Sequence, residues 1–316
     1  MAAREGGKGM SSIEQELKAW RAMSCPDLMA LGLRTKLANR TLQFSLCSIV
    51  NAKSGQCSED CRFCVQSAHF KTGAPVYPLL DRDAIVEAAC AARDSGAGYF
   101  SLVTSGRGLA GRDLGKVAEL IAIVREEVGI PICASLGIIG RDAFALLKAA
   151  GMSRYHHNLE SSEAFFPRIA TTHTFRERVE TILAAKAEGL EVCAGGIFGL
   201  GESEDDRVSM ALTLRSLGVD SVPINILIPL AGTPLAEAPP LSVVEILRSI
   251  ALYRLLLPTV PIRLAAGRET ALQDFLSSAF MAGADGMMIG GYLTAKGRLP
   301  EMDLRFVQLI RELWQG

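Results

Sequence analysis

Eight short apolar runs recur along the chain, and most are separated by segments of helical periodicity. Residues 44–50, 99–105, 130–136, 154–160, 191–199, 221–228, 262–267 and 286–291 are rich in β-branched and aromatic residues or bounded by glycine. That spacing reads as strands. Between them, Asp81–Ala92 and Asp142–Ala150 have helical spacing, and Thr174-Phe-Arg-Glu177 and Ser242-Val-Val-Glu245 are capping boxes that open two further helices. Strand and helix alternating eight times predicts an α/β fold of the (β/α)8, TIM-barrel type; a doubly wound open sheet is the alternative. A chain of 316 residues fits one such barrel. No Pro/Gly/Ser-rich linker divides it. The expected organisation is a helical extension over residues 1–40 and a barrel domain over 41–316, with a loose tail over the first ten residues and a helix opening at the Ser12-Ile-Glu-Gln15 capping box.

The charge balance is 33 Lys+Arg against 34 Asp+Glu, which argues against a nucleic-acid partner held by bulk charge. No apolar run is long enough to span a membrane, and residues 1–10 lack the apolar stretch of a secretory signal. The expected compartment is the cytoplasm, where thiols stay reduced. Eight cysteines in such a chain point to metal ligands or reactive thiols rather than disulfides.

Three of them form Cys57-Ser-Glu-Asp-Cys61-Arg-Phe-Cys64, a C-x3-C-x2-C motif just after the first expected strand. Barrel active sites lie at that end of the strands. Three thiolates can each hold one iron of a four-iron cubane, leaving the fourth iron open to a small chelating ligand. A zinc knuckle completed by His69, or three merely clustered thiols, are the plainer readings.

The motif resembles that of the radical S-adenosylmethionine superfamily. The resemblance implies a 4Fe-4S cluster on Cys57, Cys61 and Cys64, S-adenosylmethionine chelated by the open iron, and Phe63 lying against the adenine. Further segments narrow the resemblance to the biotin synthase family. They are Asn51-Ala-Lys-Ser-Gly55, Tyr155-His-His-Asn-Leu-Glu160, Cys193-Ala-Gly-Gly-Ile-Phe-Gly-Leu-Gly-Glu202, Ser221-Val-Pro-Ile-Asn225, Ala231-Gly-Thr-Pro234 and Arg263-Leu-Ala-Ala-Gly-Arg-Glu269. They occur in the family's order across residues 40–295. The family inserts sulfur into dethiobiotin, using two adenosyl radicals and an auxiliary iron–sulfur cluster as sulfur source. The same resemblance implies a reducing electron donor of flavodoxin or ferredoxin type and a homodimer.

Roles carry over by position. Asn158 and Glu160 match residues that hold the ribose, and a carboxylate accepts well from hydroxyls. Arg178 matches an arginine that pairs with the methionyl carboxylate. Gly195, Gly196 and Glu202 match a glycine-rich strand end where a ligand approaches the backbone. His156 and Asn225 match positions that face dethiobiotin; some relatives have Asn at the place of His156. His157 is expected on the opposite strand face, and His173 is given no role.

The chain departs from the familiar pattern at the auxiliary site. Cys133, Cys193 and Arg263 match three ligands of a 2Fe-2S cluster, but Ser101 stands where the remaining cysteine should fall. Serine is a poor ligand for iron beside a soft thiolate. Cys47, on the first strand, is a candidate replacement. Cys47, Cys133, Cys193 and Arg263 then occupy strands one, three, five and seven, and alternate strands build one interior layer of a barrel. The expectation is an auxiliary cluster on Cys47, Cys133 and Cys193 with Arg263 at or near the fourth place, either 2Fe-2S or a four-iron form with an extra labile sulfide. A buried, inert Cys47 is the plainer reading. Cys90 and Cys25 are expected to be packing residues. The rival functions are a hydrogenase-cluster maturase, a methylornithine-synthase-like enzyme and a non-catalytic iron–sulfur scaffold.

Overall fold

A computed structural model describes residues 6–40, 44–293 and 297–315. Two helices, α1 (Gly6–Ala22) and α2 (Cys25–Asn39), precede the first strand. The helix expected from Ser12 begins earlier, at Gly6, so residues 6–10 are helical rather than tail; residues 1–5 lie outside the described part. Ser24 caps α2 by accepting from the Asp27 amide at 3.3 Å, and Pro26 occupies the first turn, where no amide donor is needed. The cysteine before that proline, Cys25, is therefore the first residue of a helix.

Strands β1 (Ser45–Lys53), β2 (Tyr99–Thr104), β3 (Ile132–Ser135), β4 (Arg154–His156), β5 (Glu191–Cys193), β6 (Gly196–Phe198), β7 (Val222–Ile226), β8 (Ile262–Leu264) and β9 (Gly286–Met288) form one sheet. Its order is β5-β4-β3-β2-β1-β9-β8-β7-β6, with every ladder parallel. Helices α3 (Arg82–Asp94), α4 (Gly111–Glu127), α5 (Arg141–Ala150), α6 (Phe175–Ala187), α7 (Glu204–Leu217) and α8 (Val243–Leu256) make the crossovers. Short helices α9 (Arg268–Leu272) and α10 (Leu276–Met281) lead to β9, and α11 (Pro300–Gln315) ends the described chain.

The expected fifth strand is broken into β5 and β6. The break follows from where the Gly195 backbone bonds. Its amide donates to Asn158 Oδ1 at 3.1 Å, and its carbonyl accepts from Leu159 and Glu160 amides at 2.8 and 3.2 Å. A Cβ at Gly195 would overlap the Pro223 carbonyl oxygen. The ring nevertheless closes here. Asp220 and Ala194 amides donate to Val192 and Ser221 carbonyls at 2.8 and 3.0 Å, joining β5 to the segment that enters β7. A closed parallel ring of eight strands, one of them interrupted, is a barrel and not an open doubly wound sheet.

Strand alternation assigns the inner face. Ile49, Val103, Ser135, His156, Ile197, Asn225 and Ala265 line one cavity at the C-terminal end of the strands. Two residues earlier, on the same faces, stand Cys47, Ser101, Cys133, Arg154 and Arg263. The barrel therefore offers an upper cavity and, beneath it, a layer of thiols and guanidiniums.

Candidate active site

The cavity measures about 420 Å³ and is lined by Cys57, Cys61, Phe63, Cys64, His156, Asn158, Glu160, Arg178 and Asn225, among others. The cysteine loop is held in shape by its own backbone: Cys57 donates to Gln66 O at 3.0 Å, and Ala68 donates to Cys57 O at 2.8 Å. Its two acidic residues grip the segment before α6. Asp60 accepts from Thr171 and Thr172 amides at 2.8 and 3.2 Å. Glu59 accepts from Thr172 Oγ1 at 2.8 Å and meets His173 Nδ1 at 2.7 Å.

Burial pushes the Cys61 thiol up to about 12 and the Cys64 thiol up to about 11. Neighbouring thiols and Glu160 add to this, so deprotonation of Cys61 and Cys64 needs a cation at the site. Among the described residues no group of three His, Cys, Asp or Glu side chains converges as around a single ion. A four-iron cluster takes each thiolate on a different iron, so convergence is not required of its ligands. His69, the candidate fourth zinc ligand, faces out, with Nε2 at 2.9 Å from Ser58 O.

Arg178 lines the same cavity. Its Nη1 donates to Asn158 O at 2.8 Å and stands 3.7 Å from Glu160 Oε1. Glu160 has a left-handed backbone, φ 68°, a conformation that costs a non-glycine residue on the order of 1–3 kcal/mol. Its Oε2 is buried with no partner. Burial raises its carboxyl, and Arg178 and Asn158 oppose that rise. An acceptor without a donor, facing a cavity, is what a ribose hydroxyl would satisfy.

Several expected contacts are otherwise engaged. Glu202 accepts twice from the Gly199 amide, at 2.9 and 3.1 Å, and pairs with buried Arg207 at 2.8 Å. Gly195 and Gly196 are glycines because Pro223, Met210 and the Glu160 carbonyl occupy the space of a Cβ. Those three residues are held by protein packing and do not line the cavity. Asn225 does line it, while its amide bridges Gly196 O at 3.2 Å and the Ala266 amide at 3.1 Å. His157 differs from the alternation rule. Because β4 ends at His156, both histidines border the cavity, and His157 Nε2 is buried without a partner.

Beneath the cavity Cys47, Cys133, Cys193 and Arg263 are all buried. The thiols are close enough to act on one another and on Arg263 and Arg154. Burial raises Cys47 and Cys133. Burial also works to raise Cys193, but the neighbouring His156 and the arginines more than reverse it and hold that thiol down at about 6. Arg263 Nε and Nη1, Arg154 Nη1 and Ser101 Oγ have no partner. Three buried thiols surrounded by unpaired cationic donors fit an anionic iron–sulfur group.

Sequence reading missed two residues of this site. His173 connects the cysteine loop to Arg178, and Arg154 faces the interior thiols. The signals were an acid inside the cysteine motif and an arginine two residues before His156 on one strand face.

A model of the radical S-adenosylmethionine superfamily matches residues 53–214, and one of the biotin and thiamin synthesis associated domain matches residues 223–311. With the barrel and its cysteine loop, these matches place the chain among the radical S-adenosylmethionine enzymes. Solved structures agree in fold. A methylornithine synthase aligns with TM-score 0.81 at 19% identity over 94% of this chain and 92% of that one. The FeFe-hydrogenase maturase from Carboxydothermus hydrogenoformans aligns with TM-score 0.77 at 18% identity over 95% and 78%. Sequence similarity is far higher elsewhere. The biotin synthase of Pelotomaculum thermopropionicum is 56% identical over 83% of this chain and 82% of its own. That of Thermotoga petrophila is 48% identical over 94% and 99%. The chain belongs to the biotin synthase family.

Proposed function

We propose that this chain inserts sulfur into dethiobiotin in the upper cavity, between a radical source on the cysteine loop and a sulfur source in the thiol layer. The observation that carries this reading is His156. It lines the cavity and is the register partner of Cys193 on the adjacent strand, so a substrate beside it lies next to the interior thiols.

When bound, the 4Fe-4S cluster with S-adenosylmethionine supplies the 5′-deoxyadenosyl radical, and the auxiliary cluster supplies sulfur. The chain's own residues bind, orient and exclude water. Cys57, Cys61 and Cys64 hold the loop cluster, and Phe63 packs on the adenine. Glu160 and Asn158 accept the ribose hydroxyls, and Arg178 pairs with the methionyl carboxylate. Cys47, Cys133 and Cys193 hold the auxiliary cluster, with Arg263 at or beside its fourth place. Asn225 and His156 present polar atoms to the ureido ring. The apolar walls, Ile49, Val103, Ile197 and Ala265, keep water from a carbon radical.

Residues 1–40 serve as a helical extension on one barrel domain spanning 41–316. A homodimer is supported by the exposed Leu299, Met302, Leu309 and Leu313 in and beside α11. The electron donor is of flavodoxin or ferredoxin type, and the working compartment is the cytoplasm. No helix among the described residues is long and apolar enough to cross a membrane.

Anaerobic incubation of reconstituted protein with dithionite, S-adenosylmethionine and dethiobiotin tests the reading. Biotin and 5′-deoxyadenosine should form together, with two adenosyl cleavages per biotin. Deoxyadenosine without biotin points to a different substrate, and neither product points to a scaffold.

A further inference from the structure

Two guanidinium groups share one aromatic ring inside this barrel. Arg154 Cζ stands 4.0 Å from the centroid of the Tyr99 ring, and Arg263 Cζ stands 5.5 Å from it. Both arginines are buried, at 5% and 4% exposure. Like charges brought this close out of water repel unless an anion lies near them. Among the described residues the one carboxylate paired with either is Glu191, which accepts from Arg154 Nε and Nη2 at 2.9 and 2.7 Å. Its side chain is half exposed, so water screens part of its charge. Tyr99 Oη completes the clamp, accepting from Arg154 Nη2 at 3.1 Å.

The clamp uses Nε and Nη2 of Arg154 and leaves Nη1 buried with no acceptor. Two donors of Arg263 are in the same condition. Buried cationic donors are seldom left so, because each forfeits its hydration without return. Register supplies the missing partner. Arg154 on β4 is the direct neighbour of Cys133 on β3, and parallel neighbours at one register point to the same face. Cys47 is in turn the register neighbour of Tyr99, the ring that carries both guanidiniums. Arg154 lies one inward position below His156, on the side away from the cavity, so it is not placed to touch dethiobiotin.

We propose that Arg154 is a second cationic contact of the auxiliary cluster, held by Tyr99 and Glu191 and acting together with Arg263. The inference rests on the reading that Cys47, Cys133 and Cys193 bind that cluster. Arg154 is a positioning residue: hydrogen bonds and positive charge beside cluster sulfurs favour the more reduced, more negative form and so raise the reduction potential.

The test uses the full-length chain with Cys57, Cys61 and Cys64 changed to Ala, so that only the interior cluster reports. Arg154→Met, Arg154→Gln and Arg154→Lys are made in this parent, with Glu191→Gln as a control that loosens the clamp but keeps the charge. The readouts are iron per chain, the midpoint potential by optical titration, and the half-life of the chromophore against a chelator. Arg154→Met and Arg154→Gln should shift the potential to more negative values and shorten the half-life several-fold. Arg154→Lys should restore most of the potential, and Glu191→Gln should stay near the parent. Gln retains hydrogen-bonding capacity at the site and carries the test if Met does not fold. A parent potential and half-life in whichever neutral variant folds, with iron retained, overturns the inference alone. A parent that binds no iron overturns the cluster reading, and this inference with it.

Discussion

Arg178 donates from Nε and Nη2 to the Nε2 of His173, at 3.2 and 3.0 Å. An Nε2 that accepts leaves the ring proton on Nδ1, which meets Glu59 Oε2 at 2.7 Å. A neutral imidazole thus ties the cysteine loop to the arginine expected to hold S-adenosylmethionine. His173→Leu should raise the KM for S-adenosylmethionine about tenfold, roughly 1.4 kcal/mol, with a smaller change in kcat and unchanged loop-cluster iron. His173→Gln, which can donate and accept, should recover much of the loss. An unaltered KM in the Leu variant contradicts the relay.

The same ring makes a pH expectation. Burial and Arg178 hold its pKa below the ordinary 6.5, against the pull of Glu59. Protonation removes the lone pair that Arg178 uses, so binding is lost only as pH falls below 6.5. S-adenosylmethionine affinity, followed by equilibrium binding from pH 8 down to the usual histidine midpoint of about 6.5, should show no histidine step. A step in that window that vanishes in His173→Gln would count against the neutral assignment.

Glu202 belongs to the scaffold. Glu202→Ala strands the buried Arg207 guanidinium, whose other carboxylate, Glu245, is 3.7 Å away and half exposed. Removing one member of a buried pair costs about 3–5 kcal/mol. The denaturation midpoint of the variant should fall accordingly, while the folded fraction keeps its KM for S-adenosylmethionine. A stable variant with a raised KM would return Glu202 to the ligand site.

Arg254 fastens the turn between α10 and β9. It is fully buried, pairs with Asp285, and donates to the carbonyls of Gly283, Leu257, Pro258 and Val260, each at 3.0 Å. Asp285 also accepts from the Ile262 amide at 2.8 Å, so the pair joins the starts of β8 and β9. Arg254→Met should destabilise the chain by about 3–5 kcal/mol in denaturant titration. A loss below about 1 kcal/mol would mean that the barrel closes without this clamp.

What could be read from the residues was local. Periodicity placed the strands, and Thr174 with Glu177 forms the reciprocal capping box that its spacing suggests. The broken fifth strand was not legible, because it depends on Asn158 reaching the Gly195 amide across a neighbouring strand. The glycine-rich stretch at 195–196 looks alike whether a ligand or a neighbouring strand needs the room; here Pro223 and Met210 need it. His173 and Arg154 escaped notice for a similar reason. Glu59 meets His173 from 114 residues away, and Cys133 meets Arg154 only once β3 and β4 pair in register. Strand alternation alone turns Cys47 and Cys133 to the interior, but Ser101 and Arg154 on the strands flanking Cys133 stand at its register, which the alternate-strand argument did not anticipate.

Counting iron tests whether the interior thiols bind a cluster. Chain with Cys57, Cys61 and Cys64 changed to Ala is reconstituted anaerobically, and its iron and acid-labile sulfide are measured with and without Cys47→Ala. At least two irons per chain are expected on the interior thiols, lost when Cys47 is removed. Equal iron and sulfide in the presence and absence of Cys47 would contradict this.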